Sequence, residues 1–85
     1  MAYKVIVPKP VYKDVQRLPA QIRRRIWAEI DMLKEDPRPM GYIKLRGQEN
    51  QYRIRVGDYR IVYEIHDDVL VVYLIKVGHR KDIYD

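Results

Sequence analysis

Hydrophobic residues follow a helical rhythm in the first half of the chain and a strand-like one in the second. Tyr3-Lys4-Val5-Ile6-Val7 is a short β-rich run closed by Pro8 and Pro10, which predicts a first strand. Val11, Val15 and Leu18 have helical spacing and predict a short helix that Pro19 ends. The same proline can open the next helix at its first turn. From Gln21 onward, Ile22, Ile26, Ile30 and Leu33 recur at steps of three and four, the buried stripe of an amphipathic helix. Arg23, Arg24 and Lys34 fall largely on its outer side. Asp36-Pro37-Arg38-Pro39, followed by Gly41, must stop it.

The second half reads as β structure. Gln51 to Val56, Tyr59 to Ile65 and Val69 to Val77 are β-rich runs, separated by Gly57-Asp58 and by the polar group around His66-Asp67-Asp68. Both separators are short enough for hairpins, so these strands should pair antiparallel. The last run is apolar on both faces, which suits a central strand covered on both sides. The expected architecture is α+β, with two N-terminal helices packed on one face of a small, mainly antiparallel four-stranded sheet. A strand buried on both faces needs more cover than two helices on one face supply. A binding partner on the second face would provide it.

At 85 residues the chain suffices for a single domain spanning 1–85, and it shows no repeat, linker or low-complexity stretch. The core is built without Phe, so Ile, Val, Leu and eight Tyr supply most of it. There is no Cys, which excludes thiolate metal sites and Cys nucleophiles and suits a reducing cytoplasm. The N-terminal residues lack a long apolar stretch, so neither a signal peptide nor a membrane span is expected. His66 and His79 lack clustered acidic ligands in the sequence, so no metal site and no cofactor are expected. Net charge is +5, which favours an anionic partner if the cations converge.

They converge on the first hairpin. Side chains alternate along a strand, so Arg53 and Arg55 share the face opposite Tyr52, Ile54 and Val56. With Gly57-Asp58 as the turn, Val56 pairs with Tyr59 and Arg55 lies opposite Arg60. Like charges directly opposite one another destabilise a sheet by up to about 1 kcal/mol. An anion between them removes that cost, and guanidinium offers a planar fork to phosphate oxygens. The tail from Lys76 brings a second cluster. Gly78 allows a sharp turn out of the last strand, after which His79, Arg80 and Tyr84 place an imidazole, a fixed cation and a phenol near the sheet. Cations with proton carriers can cleave a phosphodiester. Trp27 is expected at the core edge, and Arg23-Arg24-Arg25 on a solvated helix face or against nucleic-acid phosphates.

Lys44-Leu45-Arg46-Gly47, Tyr52-Arg53-Ile54-Arg55, Tyr59-Arg60-Ile61-Val62-Tyr63 and Val77-Gly78-His79-Arg80 with Ile83-Tyr84 together resemble the ordered motifs of the RelE/ParE toxin superfamily. The resemblance implies a RelE-like toxin of a type II toxin–antitoxin system. Such an enzyme is a metal-independent endoribonuclease that cleaves messenger RNA on the ribosome, the 2′-hydroxyl attacking the adjacent phosphate. It implies that Arg60 stabilises phosphate charge, that Arg80 assists the leaving 5′-oxygen, and that Tyr84 orients or accepts a proton. Lys44, Arg46, Arg53, Arg55 and Lys81 would bind the RNA. The best-known RelE pattern has lysines where this chain has Arg53 and Arg55, and arginine is effectively never deprotonated. The general base would then be Tyr84 or His79. The implied partners are a RelB-like antitoxin whose flexible segment masks the basic face, the ribosome and its messenger. The free toxin is expected to be a monomer that forms a hetero-oligomer with its antitoxin. Two alternatives share the fold: a ParE-like toxin that inhibits DNA gyrase, and a catalytically inert member that only binds its antitoxin.

Overall fold

Prolines set both helix starts. The computed structural model describes residues 2–83. Strand β1 (Lys4–Ile6) is followed by α1 (Lys9–Gln16), with Pro8 at its N-cap, and α2 (Ala20–Met32), with Pro19 at its N-cap. Both caps are extended at ψ near 150°, a conformation that the fixed proline φ favours, and the chain turns directly into each helix. Then come β2 (Ile43–Lys44), β3 (Gln51–Val56), β4 (Tyr59–His66) and β5 (Val71–His79).

The α+β class and the placement of the helices are as expected, but the sheet has five strands rather than four. The additional strand, β2, is only two residues long, too short to show any alternation. It exists because Ile43 and Lys44 pair with Arg53 and Tyr52 of β3. The sheet order is β1-β5-β4-β3-β2, antiparallel except for the parallel β1–β5 pair. The central position expected for the last strand is therefore correct, although its bounds move from 69–77 to 71–79. Helix α1 packs on β5 and α2 on β3. Between them and the sheet lie Val15, Ile26, Ile61, Tyr63, Val72 and Leu74, all essentially inaccessible. Trp27 packs at the edge of this core, its indole N–H donating to Gln16 Oε1 at 3.1 Å.

A β-bulge in β5 decides which side chains share a face. Val62 pairs with Lys76 but Tyr63 pairs with Leu74, so Ile75 has no cross-strand partner. Strict alternation from the buried Leu74 would turn Val77 and His79 away from the helices. The extra residue reverses that parity: Val77 pairs with the buried Ile61 on the helix side, and Gly78 faces outward beside Arg60.

The end of the sheet far from the Gly57 turn is clamped by tyrosines. Arg38, in the loop after α2, donates to both carboxylate oxygens of Asp67 at 3.2 and 2.9 Å and to Tyr52 Oη at 3.3 Å. Tyr3 donates to Asp67 Oδ1 at 2.7 Å. These hydrogen bonds, Arg38 first, hold the Asp67 carboxyl down at about 2. The pair is partly exposed, so solvent screening keeps its contribution modest. Tyr63 is buried and donates to Pro37 O at 2.7 Å, which ties the proline loop to β4.

Burial raises the Tyr63 phenol well above its ordinary range. A raised folded-state pKa means that the stability it carries is complete below the unfolded value and is lost as pH climbs beyond about 10. Tyr63→Phe, which orphans the Pro37 carbonyl, should cost about 1–2 kcal/mol near neutral pH. In urea melts the gap between the two proteins should narrow above about pH 10, because Phe cannot ionise. A gap that stays constant to higher pH would refute this account.

Candidate nucleic-acid interface

One face of the sheet carries the core and the other carries the cations. On β3, Tyr52, Ile54 and Val56 are buried under the helices, while Gln51, Arg53 and Arg55 take the second face. The register is the one expected: Arg55 lies opposite Arg60, Arg53 opposite Val62, and Val56 opposite Tyr59. Cross-strand neighbours of this kind have Cβ atoms about 5 Å apart. Arg53 is only 7% exposed, whereas Arg55 is open to solvent. The bulge adds Lys76 to the same face, beside Val62. Sequence reading missed Lys76, because alternation alone does not reveal the extra residue.

The tail returns across this face. Gly78 is not the turn it was expected to be; it lies inside β5 opposite Arg60. Its role there is to lack a side chain: a Cβ would sit 3.3 Å from Ile83 Cδ1. Ile83 thereby reaches down to the strand and forms a small buried cluster with Leu45 and Val62. Lys76 Nζ donates to Asp82 O at 3.4 Å, and Asp82 N–H donates to His79 O at 2.8 Å. The chain's own tail therefore supplies part of the cover that the second face requires. Tyr73 and Ile75 remain open beside it, at 39% and 36% exposure.

Of the expected site residues, the structure brings Arg53, Arg55 and Arg60 together on the second face. Arg80 is exposed, and its backbone N–H donates to Asp58 O at 2.8 Å. That bond holds the start of the tail at the turn end of β4, two residues from Arg60. Arg46 lines a cleft on the same face with Val62, Lys76 and Ile83. Lys81 is exposed in the tail turn, its N–H donating to His79 Nδ1 at 3.2 Å.

Two residues do not join the cluster. Lys44 pairs with Tyr52, on the helix side of the sheet. His79 pairs with Tyr59 and meets its ring edge-on, 5.2 Å between centroids at 78°. The bulge is the physical reason, since it turns His79 away from the arginine face. Tyr84 lies outside the described residues. His66 sits at the far end of β4, 2.9 Å from Glu64 Oε1, as a hairpin residue rather than a site residue. Arg23 is not merely solvated, for it donates to the Gln16 and Leu18 carbonyls that end α1.

The arrangement is one that an anion would suit. It presents Arg53, Arg55 and Arg60 from two adjacent strands and Lys76 from a third on a single face, with apolar surface alongside. Among the described residues, Arg55 and Arg60 face each other with no carboxylate directly opposite either one in the register.

Comparison with known proteins agrees with the motifs. The family described as the ParE toxin of type II toxin–antitoxin systems (parDE) matches residues 5–84. Toxin RelE3 of Methanocaldococcus jannaschii is 37% identical over 96% of this chain and 96% of its own. The mRNA interferase toxin RelE of Escherichia coli K12 is 31% identical over 95% of this chain and 86% of its own. Among solved structures, the archaeal RelE–RelB complex from Pyrococcus horikoshii superposes with a TM-score of 0.84 at 34% identity, covering 98% of this chain and 100% of that one. Family match, relatives and fold agree along nearly the whole chain, and the protein belongs to the RelE/ParE family of toxins of type II toxin–antitoxin systems.

Proposed function

We propose that this toxin is a metal-independent endoribonuclease that cleaves messenger RNA on the ribosome and so arrests translation in the cytoplasm. The observation that carries the reading is the cross-strand pair Arg55–Arg60, flanked by Arg53 and by a tail that starts with Arg80 at the same end of the sheet. A relative 31% identical to this chain is named an mRNA interferase, which supports the same reading.

In the proposed reaction the 2′-oxygen of one nucleotide bonds to its own 3′-phosphorus. The bond from phosphorus to the 5′-oxygen of the next nucleotide breaks. The products are a 2′,3′-cyclic phosphate and a free 5′-hydroxyl, so no water is consumed in the step. Arg55 and Arg60 hold the non-bridging oxygens as negative charge grows on them, and Arg53 supports the same field from beneath. Arg80 stabilises the departing 5′-oxygen until a proton reaches it. The proton of the 2′-hydroxyl needs an acceptor, which no arginine can be. With His79 turned to the helix side, the reading assigns that role to Tyr84.

The antitoxin follows from the same surface. An extended segment with apolar anchors and acidic residues would cover Tyr73 and Ile75 and neutralise the arginines together. The Pyrococcus horikoshii relative was solved as a RelE–RelB complex, which supports an antitoxin partner. The free toxin is a monomer in this reading and forms a hetero-oligomer with its antitoxin.

Primer extension on a message translated with purified protein tests the proposal. Wild type should give discrete cuts that depend on the ribosome, and Arg80→Ala should reduce them at least about a hundredfold. Because the family description is that of ParE, gyrase–DNA breaks are to be scored in parallel. Breaks without messenger cuts would assign the chain to the gyrase poisons. Neither activity, with normal growth on expression, would mark an inert binder.

A further inference from the structure

Opposite the arginine face, at the same β3–β4 turn, lies a second basic surface that the proposed reaction does not use. We infer that it is a second single-stranded RNA subsite, in which Arg24 and Arg25 hold a phosphate and Tyr59 stacks a base of the strand gripped by Arg55 and Arg60. The inference rests on the nuclease reading and extends it to where the RNA goes after leaving the cleavage face.

A cleft on the helix side is lined by Pro19, Gln21, Ile22, Arg24, Arg25 and Tyr59. Ile22 and Pro19 make an apolar wall, Tyr59 contributes a half-buried ring, and Arg24 and Arg25 are exposed at the rim. Arg25 reaches from α2 to the hairpin: a Cβ built on Gly57 would lie 3.3 Å from its Nη1. Gly57 holds φ at +61°, so the turn is bare backbone where the guanidinium passes over it. The ring of His79 supports Tyr59 edge-on, which gives the misplaced histidine a role as part of the platform.

Two facts weigh against a merely solvated helix face. The ion pairs of the described residues, Arg17–Asp14, Lys34–Asp31, Arg38–Asp67 and His66–Glu64, leave out Arg24 and Arg25. Glu29 stands four residues after Arg25, the spacing of a helix-surface pair, yet the two form no ion pair among the described residues. The second fact is continuity. Tyr59 and Arg60 are adjacent in β4 and point to opposite faces, so the two cationic surfaces are separated by one sheet thickness at one turn. A strand that leaves Arg55 and Arg60 can pass over Gly57 to reach Arg25.

The chemistry favours a nucleotide over an acidic peptide. The cleft lies at the ends of β3 and β4 rather than along an open strand edge, so a peptide finds no ladder to extend. Base stacking and phosphate contact require only a ring face and cations, and guanidinium serves both.

Fluorescence anisotropy at low salt tests it with the purified toxin and two probes, a dinucleotide and a single-stranded RNA of about eight nucleotides, a length within the range of small single-strand sites. The double variant Arg24→Gln/Arg25→Gln and the single variant Tyr59→Leu should each bind the longer RNA at least about fivefold more weakly and the dinucleotide as wild type does. The arginine variant should melt like wild type, since both side chains are exposed, so its loss cannot be blamed on unfolding. Its salt dependence should also be shallower by about one unit per lost phosphate contact. Unchanged binding of the longer RNA in the arginine variant overturns the subsite. So does competition by polyglutamate as effective as that by RNA. Messenger cleavage is run in parallel to separate the two ideas. A wild type that does not cut, with the length-dependent loss intact, removes the nuclease and keeps the subsite. A wild type that cuts, with an arginine variant that binds and cuts normally, removes the subsite alone.

Discussion

Arg60→Ala should cut messenger at least about a hundredfold more slowly than wild type, the usual effect of deleting one donor aimed at developing charge. Arg60 is the arginine that cannot be replaced from a neighbouring position. Gly78 opposite it carries no side chain, and Arg55, its other neighbour, already presents its own cation. Arg60→Lys should recover only a part, because an ammonium keeps the charge but loses the fork that engages two phosphate oxygens at once. Primer extension at saturating ribosome concentration reads the rate directly. Arg55→Ala should show a different balance: weaker cleavage, but stability equal to wild type or higher by up to about 1 kcal/mol, since a like-charge cross-strand pair disappears. Full activity in Arg60→Ala would remove the face described above from the chemistry.

Leu74→Ala should be the most damaging single truncation for the fold. Leu74 is fully buried in β5, between β1 and β4, and opposite the buried Tyr63. Removing most of its side chain from a site with neighbours on every side should cost about 2–5 kcal/mol. For a domain of this size each kcal/mol lowers Tm by about 4–8 °C, so a fall of at least about 10 °C is expected in a thermal melt. The same truncation at Ile75, which follows Leu74 on the opposite face and is 36% exposed, should change Tm by only a few degrees. Equal effects at the two positions would mean that Leu74 and Ile75 do not face opposite sides of the sheet.

That comparison shows what the sequence could and could not reveal. Alternation in β3 and β4 was legible because the Gly57-Asp58 turn fixes the register, so the Arg55–Arg60 pair followed from counting residues. The helix stripe was legible because Ile26, Ile30 and Leu33 repeat at the helical period and all are buried. The bulge was not legible. An apolar run such as Val71-Val72-Tyr73-Leu74-Ile75 looks the same with either parity, and only the pairing with β4 shows that Ile75 is the extra residue. From that one hidden residue came the misplacement of His79 and the omission of Lys76, whereas Gly78 was read as a turn because glycine favours one and the strand runs two residues further than expected. Strand β2 was missed because two residues carry no period. The clamp of Tyr3, Arg38 and Asp67 joins positions up to 64 residues apart, a distance at which no local pattern exists.

The sheet order has a consequence for the moment of synthesis. Among the described strands β5 is made after the other four, yet it lies between the first strand and the fourth. Until β5 leaves the exit tunnel, β1 has no strand partner among the described residues, because Lys4, Val5 and Ile6 pair with Val71, Val72 and Tyr73. The helices can form early, but the surface that they must cover is incomplete. Leu74 and Val77 close the core, and Gly78 and Ile83 shape the arginine face, only once residues 74–83 emerge. A ribosome making this toxin therefore carries it unfolded until β5 and the turn that follows it have emerged.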